Sequence, residues 1–206
     1  MARRRLVLAS ALASWLPLGA ARAQAERQAA GRVTARDGSV VVVRAEGDQP
    51  LEPGDALYRG DQIRTGPAAK LRVECEGGLV IVIGPRTEIG IDEYLPAQSG
   101  SGLGMVLGLL TGIVRLIGPA QAPQRLEVRT RVALASVRST DWLVQAGPPG
   151  TAVFAREGRV GVRGTSGGEV LLEPGFGTDV PPGRPPEPPH AWGAARRDAV
   201  MAQTTL

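Results

Sequence analysis

The pentapeptide at residues 164–168 has the residue types that nucleophilic catalysis requires. Its sequence, Gly164-Thr165-Ser166-Gly167-Gly168, fits the G-x-S-x-G pattern, and Asp179 and His190 follow in the order that an α/β-hydrolase uses. That pattern works on a sharp turn between a strand and a helix, which raises the serine toward its substrate. Here the pentapeptide lies between two β-rich runs, and His190 lies beside a run of prolines. We therefore expect no catalysis, and an envelope hydrolase using Ser166 and His190 is only the alternative interpretation.

The rest of the chain offers little for metal, cofactor or nucleic-acid chemistry. One histidine and one cysteine exclude an ordinary His/Cys metal cluster, and the acidic residues lack the spacing of a calcium loop. Gly102-Leu103-Gly104 followed by Gly108 imitates a dinucleotide loop, but the spacing is wrong and no βαβ unit surrounds it. Aromatic residues make up 3% of the chain, which argues against a base-stacking platform. We expect no catalytic, cofactor-binding or metal-binding residues and no nucleic-acid partner.

Residues 1–23 have the pattern of a cleavable signal peptide. Arg3-Arg4-Arg5 is the basic region, residues 6–20 are an apolar run broken by Pro17, and Ala21-Arg22-Ala23 is a small-x-small cleavage pattern. The apolar run is shorter than the roughly 20 residues that span a bilayer. We expect cleavage after Ala23, a mature chain without an integral membrane span, and a periplasmic or secreted location. The general secretory and twin-arginine routes both remain open.

Cleavage would change the net charge of the chain but not its cysteine content. The formal charge of +4 would fall to zero, because the signal carries four arginines and no acidic residue. The remaining basic residues are dispersed, so nothing indicates a surface for nucleic acid. Cys75 is the only cysteine, so the chain cannot form an intramolecular disulfide and must rely on core burial.

The elements that must carry these residues are predicted to be short strands. Residues 71–75 alternate apolar and polar, residues 79–83 are apolar throughout, and Gly77-Gly78 between them predicts a hairpin. Cys75 falls on the apolar side of its strand and is expected to act as a small buried hydrophobe. Residues 103–117 contain Arg115 and three glycines, which favours a buried β-segment over a membrane span.

The second half of the chain repeats this pattern and completes an all-β prediction. Glu157-Gly158 separates residues 151–156 from residues 159–163 and indicates a second two-residue hairpin. Turn signals recur at intervals typical of all-β folds. We expect many short strands in one solenoid-like or sandwich-like domain, with further strands near residues 40–43, 126–128, 169–172 and 177–180.

A short motif occurs twice. Gly31-Arg32-Val33 precedes Leu51-Glu52-Pro53-Gly54, and Gly158-Arg159-Val160 precedes Leu172-Glu173-Pro174-Gly175. In each Pro-Gly pair, proline fixes φ and glycine accepts a positive φ, as a turn requires. The echo indicates that one strand-and-turn device is used twice.

The predicted β-domain covers residues 31–180, and residues 181–206 form a Pro-rich C-terminal tail. Six prolines between residues 181 and 189 predict an extended linker that holds a short terminal segment away from the core. The terminal segment has a weakly helical pattern, and a short helix and a disordered tail both remain open.

Two segments together resemble the FecR domain family. The first contains Leu51-Glu52-Pro53-Gly54-Asp55, then Gly60-Asp61-Gln62-Ile63-Arg64-Thr65-Gly66. The second contains Val137-Arg138-Ser139-Thr140-Asp141-Trp142, followed by Glu157-Gly158-Arg159-Val160. These are similar to the family's "G-D-x-I-x-T-G" unit, its "V-R-G-T-x-F" element and its "E-G-x-V" hairpin. Ser139 replaces the common glycine, and Trp142 replaces the common phenylalanine.

The resemblance implies an extracytoplasmic all-β domain that is not an enzyme. Regulators of this family pass a signal from an outer-membrane receptor to a sigma factor, through an N-terminal cytoplasmic anti-sigma segment and one membrane span. This chain is expected to lack that segment, that span and the receptor-facing C-terminal subdomain. We therefore expect a binding, sensing or scaffold module in the bacterial envelope, with a structural or adhesive surface protein as a further alternative.

The partner is expected to be a protein or an envelope polymer bound by a β-surface. Exposed strand edges offer rows of backbone donors and acceptors that suit strand addition. Within the motifs we expect Asp61, Thr65, Arg138 and Thr140 to tie loops by hydrogen bonds. We expect Ile63 and Trp142 to fill the core.

Overall fold

The computed structural model describes residues 29–45, 47–95, 104–118, 125–137 and 141–206. The predicted signal segment lies outside these ranges. The described residues form seventeen strands and one α-helix, which confirms the all-β prediction. The elements, in chain order, are β1 Ala29–Asp37, β2 Val40–Arg44, β3 Gly47–Pro50, β4 Ala56–Tyr58, β5 Gln62–Thr65, β6 Lys70–Glu74, β7 Val80–Ile83, β8 Glu88–Leu95, β9 Gly104–Ile117, β10 Arg125–Arg129, β11 Ala133–Val137, β12 Asp141–Gly147, β13 Gly150–Glu157, β14 Val160–Gly164, β15 Glu169–Leu172, β16 Phe176–Val180, β17 His190–Ala191 and α1 Ala194–Gln203.

The strands form two open sheets that share one long strand. The first sheet has the order β4-β1-β6-β7-β9-β12-β13-β16-β17. The second sheet has the order β3-β2-β5-β8-β9-β10-β11-β14-β15. Neighbouring strands are antiparallel except for β9 and β10. Two layers packed face to face correspond to the sandwich-like form of the prediction.

Strand β9 joins the two layers because it bends at Gly112. Its first half pairs with β8 and β10 in the second sheet, and its last residues pair with β7 and β12 in the first sheet. Gly112 has a φ of +97°, and a Cβ there would lie 2.2 Å from Thr87 Oγ1. Only glycine fits this bend, because both the backbone conformation and the space exclude a side chain. The predicted buried β-segment is therefore confirmed, and it crosses between sheets.

The main core fills the space between the sheets. In several strands alternate residues point inward, as in β5, where Ile63 and Thr65 are buried and Gln62 and Arg64 are exposed. Trp142 lies at the centre of this core with no exposed surface. No disulfide is needed, because burial of aliphatic side chains from both layers is the dominant stabilising term.

One predicted hairpin is confirmed and the other is wrong. Strands β6 and β7 pair antiparallel across Gly77 and Gly78, both of which have positive φ. Strands β13 and β14 do not pair with each other: β13 pairs with β12 and β16, and β14 pairs with β11 and β15. The positive φ of Gly158 (73°) turns the chain from the first sheet into the second instead of back along the same sheet.

A four-strand unit occurs twice in the molecule. The two units are β1 to β4 and β13 to β16. In each, the first and fourth strands lie in the first sheet, and the second and third strands lie in the second sheet. In each unit the chain passes from the first sheet to the second at a glycine that follows an acidic residue, Gly38 (φ 69°) or Gly158 (φ 73°). The chain returns to the first sheet at the Pro-Gly turn, where φ is 101° at Gly54 and 85° at Gly175. The shared device predicted from Leu-Glu-Pro-Gly is therefore confirmed.

The other half of the sequence echo is not structurally equivalent. Gly31 lies within β1, whereas Gly158 lies in the turn between β13 and β14. The two Gly-Arg-Val triplets therefore occupy different places in the repeated unit. The equivalent of Glu157-Gly158 is Asp37-Gly38, which precedes Val40 as Gly158 precedes Val160.

The prediction that the proline run holds the terminal segment away from the core is wrong. Pro186 is buried against the β14–β15 hairpin, where a Cβ on Gly164 or Gly168 would lie 2.9 or 3.2 Å from its Cδ. The chain then returns to the first sheet as β17 and ends in α1. Glycines in the hairpin give the prolines a flat surface, so the run packs instead of projecting.

Within the described ranges, no helix is long and apolar enough to cross a membrane.

Candidate functional site

The structure does not join the residues of the hydrolase alternative. Ser166 lies in the turn between β14 and β15, and His190 lies exposed in β17 of the other sheet. The His190 ring lies with its Nδ1 3.5 Å from Pro188 O. Asp179 instead accepts two hydrogen bonds from Arg196, at 2.8 and 2.5 Å. No hydrogen bond among the described residues links Ser166, His190 and Asp179 into a catalytic triad.

Asp61 of the Gly60-Asp61 motif is buried and holds neighbouring segments together by hydrogen bonds. It is 4% exposed, and its carboxylate accepts two hydrogen bonds from Arg44, at 2.7 and 2.6 Å. The same carboxylate accepts the backbone N–H of Tyr58 at 2.9 Å. These bonds fix the β4–β5 turn against β2, so the buried carboxylate is engaged inside the protein and is not displayed to a ligand.

Thr65 has the same kind of role at the other end of β5. Its hydroxyl donates to Gly84 O at 2.7 Å and accepts the backbone N–H of Thr87 at 2.8 Å. The predictions for Asp61 and Thr65 are therefore confirmed. Arg138 and Thr140 lie outside the described residues.

A buried charge cluster that sequence inspection missed lies on the outer face of the first sheet. Asp141 accepts two hydrogen bonds from Arg115, at 2.7 and 2.6 Å, and one from Arg156 at 2.6 Å. Asp141 is 4% exposed and Arg115 is 8% exposed. The cluster ties β9, β12 and β13 together. The signal available in the sequence was the one charged residue, Arg115, within residues 104–117.

Cys75 is a poor nucleophile. Burial, and then the nearby charge of Glu76, raise the pKa of its thiol to about 12. Its sulfur lies where a Cβ on Gly31 would be 2.9 Å away, so it fills space beside β1. A thiol that stays protonated at neutral pH neither attacks electrophiles nor binds metal readily. Cys75 packs against the main core as predicted, but it is only partly buried.

The C-terminal segment covers an apolar patch on the outer face of the first sheet. We call this patch the seat: Ile113 of β9, Leu143 of β12 and Phe154 of β13, all buried beneath the segment. Trp192 stacks on Phe154 with ring centroids 4.9 Å apart, and Val200 completes the cluster. This cluster is separate from the main core.

Two glycines shape the sheet for this segment. A Cβ on Gly177 would lie 2.2 Å from Trp192 Nε1, and a Cβ on Gly84 would lie 2.9 Å from Gln203 O. Polar contacts close both ends: Arg196 pairs with Asp179, and Lys70 Nζ donates to Ala202 O at 2.7 Å and Thr205 O at 2.8 Å. The segment therefore has a fitted binding surface within its own chain.

A cleft of about 230 Å³ adjoins the seat at the β12–β13 turn. Its walls include Gln145, Thr151 and the Asp179–Arg196 pair. The Thr151 hydroxyl already bonds to that of Thr130 at 2.7 Å. The cleft holds no nucleophile with an adjacent base, and no group of three His, Cys, Asp or Glu side chains in the described ranges could hold a metal ion.

The free edges of the sheets differ in how well they are protected. Strand β3 is fully exposed and ends at Pro50, which has no backbone N–H to offer to a further strand. Strands β4 and β17 have three and two residues. Strand β15 pairs with β14 on one side, and Leu171 on it is 55% exposed. Of the described edges, β15 is the one best suited to accept another strand.

Comparison with known proteins agrees with this geometry. Two crystal structures of a candidate anti-sigma factor from Parabacteroides distasonis ATCC 8503, at 1.65 and 2.50 Å resolution, share the fold with TM-scores of 0.54. They are 19% and 18% identical over 68% of this chain, and this chain spans less than two thirds of their length (64% and 63%). The search of curated proteins gave no match. Residues 61–161 match the family model described as FecR protein, so the chain contains a FecR domain.

Proposed function

We propose that this chain is an exported, non-enzymatic FecR-domain protein that acts as a binding or sensing module for signal transduction in the bacterial envelope. The observation that carries the proposal is the FecR match over residues 61–161. The similar fold of proteins described as candidate anti-sigma factors supports a signalling role. The signal-like residues 1–23 support export.

The way the motif residues are used supports a binding module more than an enzyme. Asp61 and Thr65 form hydrogen bonds to backbone groups and to Arg44 inside the protein. Asp179 is held by Arg196 and not by His190. Catalysis needs polar groups that converge on a substrate with free capacity, whereas recognition through a sheet edge needs only backbone groups and alternate side chains.

Strand β15 is the proposed contact, and an extended segment of a protein partner is the proposed occupant. Val162 and Val170 are paired across β14 and β15, so β15 is held in a regular ladder that a further strand can extend. Leu171 offers an apolar side chain beside that edge, and Glu169 is paired with Arg163 at 3.2 Å. An incoming strand would gain backbone hydrogen bonds and one apolar contact.

Photocrosslinking in cells tests the contact. A photoreactive residue at position 171 should give a crosslink to an envelope protein. The matched control is position 110, where Leu110 is similarly exposed (45%) but lies on β9. Equal crosslinking at both positions, or capture of a cytoplasmic sigma factor alone, contradicts the proposal. A polymer adduct at position 171 would reject the protein partner in favour of an envelope polymer.

A further inference from the structure

The C-terminal segment of residues 190–206, which we call the latch, is separable from the domain it covers. Its apolar contacts belong to the outer cluster, so the main core between the sheets does not depend on it. Upstream, the chain is anchored by Glu187: its N–H donates to Asp179 O at 2.9 Å, and its carbonyl accepts from Thr178 Oγ1 at 2.6 Å. Pro188 and Pro189 follow these anchors, so they are the natural hinge.

The latch has low stability of its own. Helix α1 has ten residues, no side-chain N-cap, no acidic residue in its first turn and no basic residue in its last. Arg196 and Arg197 lie near its N-terminus, where the helix dipole disfavours positive charge. A helix of this length is marginal in isolation. Its order therefore comes from the seat.

The contacts that fasten the latch at each end are accessible to water. Asp179 and Arg196 have side chains 34% and 38% exposed, and Lys70 reaches one carbonyl of the last helical turn and one beyond the helix from the surface. Exposed ion pairs contribute little to stability, because water screens the charges. Opening the latch therefore breaks these polar contacts and the two-residue pairing of β17 with β16, and it uncovers Ile113, Leu143 and Phe154 together.

We propose that copies of this chain bind each other by exchange of the latch, so that residues 190–206 of one copy occupy the seat of a second copy. The observations favour a second copy because its segment has the chemistry that the seat is shaped to hold. An aromatic ring fits over Gly177 and Phe154, an arginine four residues later meets Asp179, and an aliphatic side chain eight residues later enters the seat. This inference is independent of the proposed signalling function.

The intramolecular latch sets the condition for exchange. A tethered segment competes at an effective concentration on the order of millimolar. The wild-type chain is therefore closed and monomeric when dilute. Exchange needs a high local concentration or a copy whose own latch is open.

Complementation between two full-chain variants tests the exchange. The latch variant carries Trp192→Ala and Val200→Asp, and keeps an intact seat. The seat variant carries Phe154→Thr and Leu143→Thr, and keeps an intact latch. Sedimentation follows complex formation. The change in tryptophan fluorescence on mixing reports Trp192, which only the seat variant retains, because the buried Trp142 is common to both variants.

Mixing should give a one-to-one complex with burial of Trp192, at concentrations roughly 100-fold below those at which the wild type associates. Each variant alone should be monomeric, and mixing two preparations of the same variant is the matched control. Circular dichroism checks that both variants keep the sheets. If either unfolds, Val200→Asp paired with Leu143→Thr replaces them. Folded variants that stay monomeric when mixed, with Trp192 unchanged, overturn the proposal.

Discussion

The buried charge cluster on the first sheet makes a large contribution to the stability that we predict for the domain. In the Asp141→Asn variant, Arg115 loses its charged partner while remaining within the sheet. Side chains of the Arg115–Asp141 pair are only 10% and 6% exposed, so water cannot replace the lost carboxylate. Removal of one member of a buried pair costs about 3–5 kcal/mol. With a urea m-value of about 2 kcal/mol/M, the unfolding midpoint should fall by about 1.5–2.5 M.

The matched control is Asp48→Asn, because Asp48 pairs with Arg64 on the surface. Their side chains are 51% and 46% exposed, so the loss should be at most about 1 kcal/mol. Urea unfolding at neutral pH, followed by circular dichroism, measures both variants against the wild type. The reasoning is refuted if Asp141→Asn and Asp48→Asn lower the midpoint by the same small amount.

Three further predictions concern single residues in the sandwich. Gly112→Ala should destabilise the protein by at least about 3 kcal/mol in denaturant unfolding, because it adds a clash with Thr87 to the strain of a positive φ. Gly167→Ala is the control: its φ is also positive but the space around it is open, so it should lose about 1–2 kcal/mol. Equal losses would contradict the bend that we describe in β9. Gly54→Ala and Gly175→Ala should each cost about 1–2 kcal/mol, because their turns are equivalent and open; a large difference would contradict the repeated unit. The pKa of Cys75 is raised from 9.0 to about 12 in the folded protein, so its contribution to folding stability is complete below pH 9 and is lost as the pH rises toward 12. Between pH 9 and 11 the Cys75→Ala variant should therefore lose less stability than the wild type. Identical profiles of stability against pH would contradict this.

Local patterns in the sequence predicted the strands, but not how the strands are distributed between sheets. The alternation before Gly77-Gly78 identified β6 and β7, since both partners and the turn lie within one short segment. The same reasoning failed at Glu157-Gly158, because a positive-φ glycine fits either a hairpin or a crossing between layers. Which one forms depends on distant pairing, here of β13 with β16 and of β14 with β11.

The candidate site was the harder part to predict because its members are far apart in the chain. Arg115 and Asp141 are 26 residues apart and meet only through the pairing of β9 with β12. Six prolines predicted an extended segment, but the flat surface that Gly164 and Gly168 offer to Pro186 depends on tertiary structure. The weak helical pattern of α1 left its order open because that order comes from the seat.

The proposed function requires the chain to be outside the cytoplasm, so the N-terminus found in cell fractions is its most direct test. Mass spectrometry of the periplasmic and secreted fractions should find a mature chain that begins at Gln24, or at Glu26 if cleavage follows Ala25. A chain that retains Met1 and stays in the inner membrane or cytoplasm would contradict export and, with it, an envelope partner at β15.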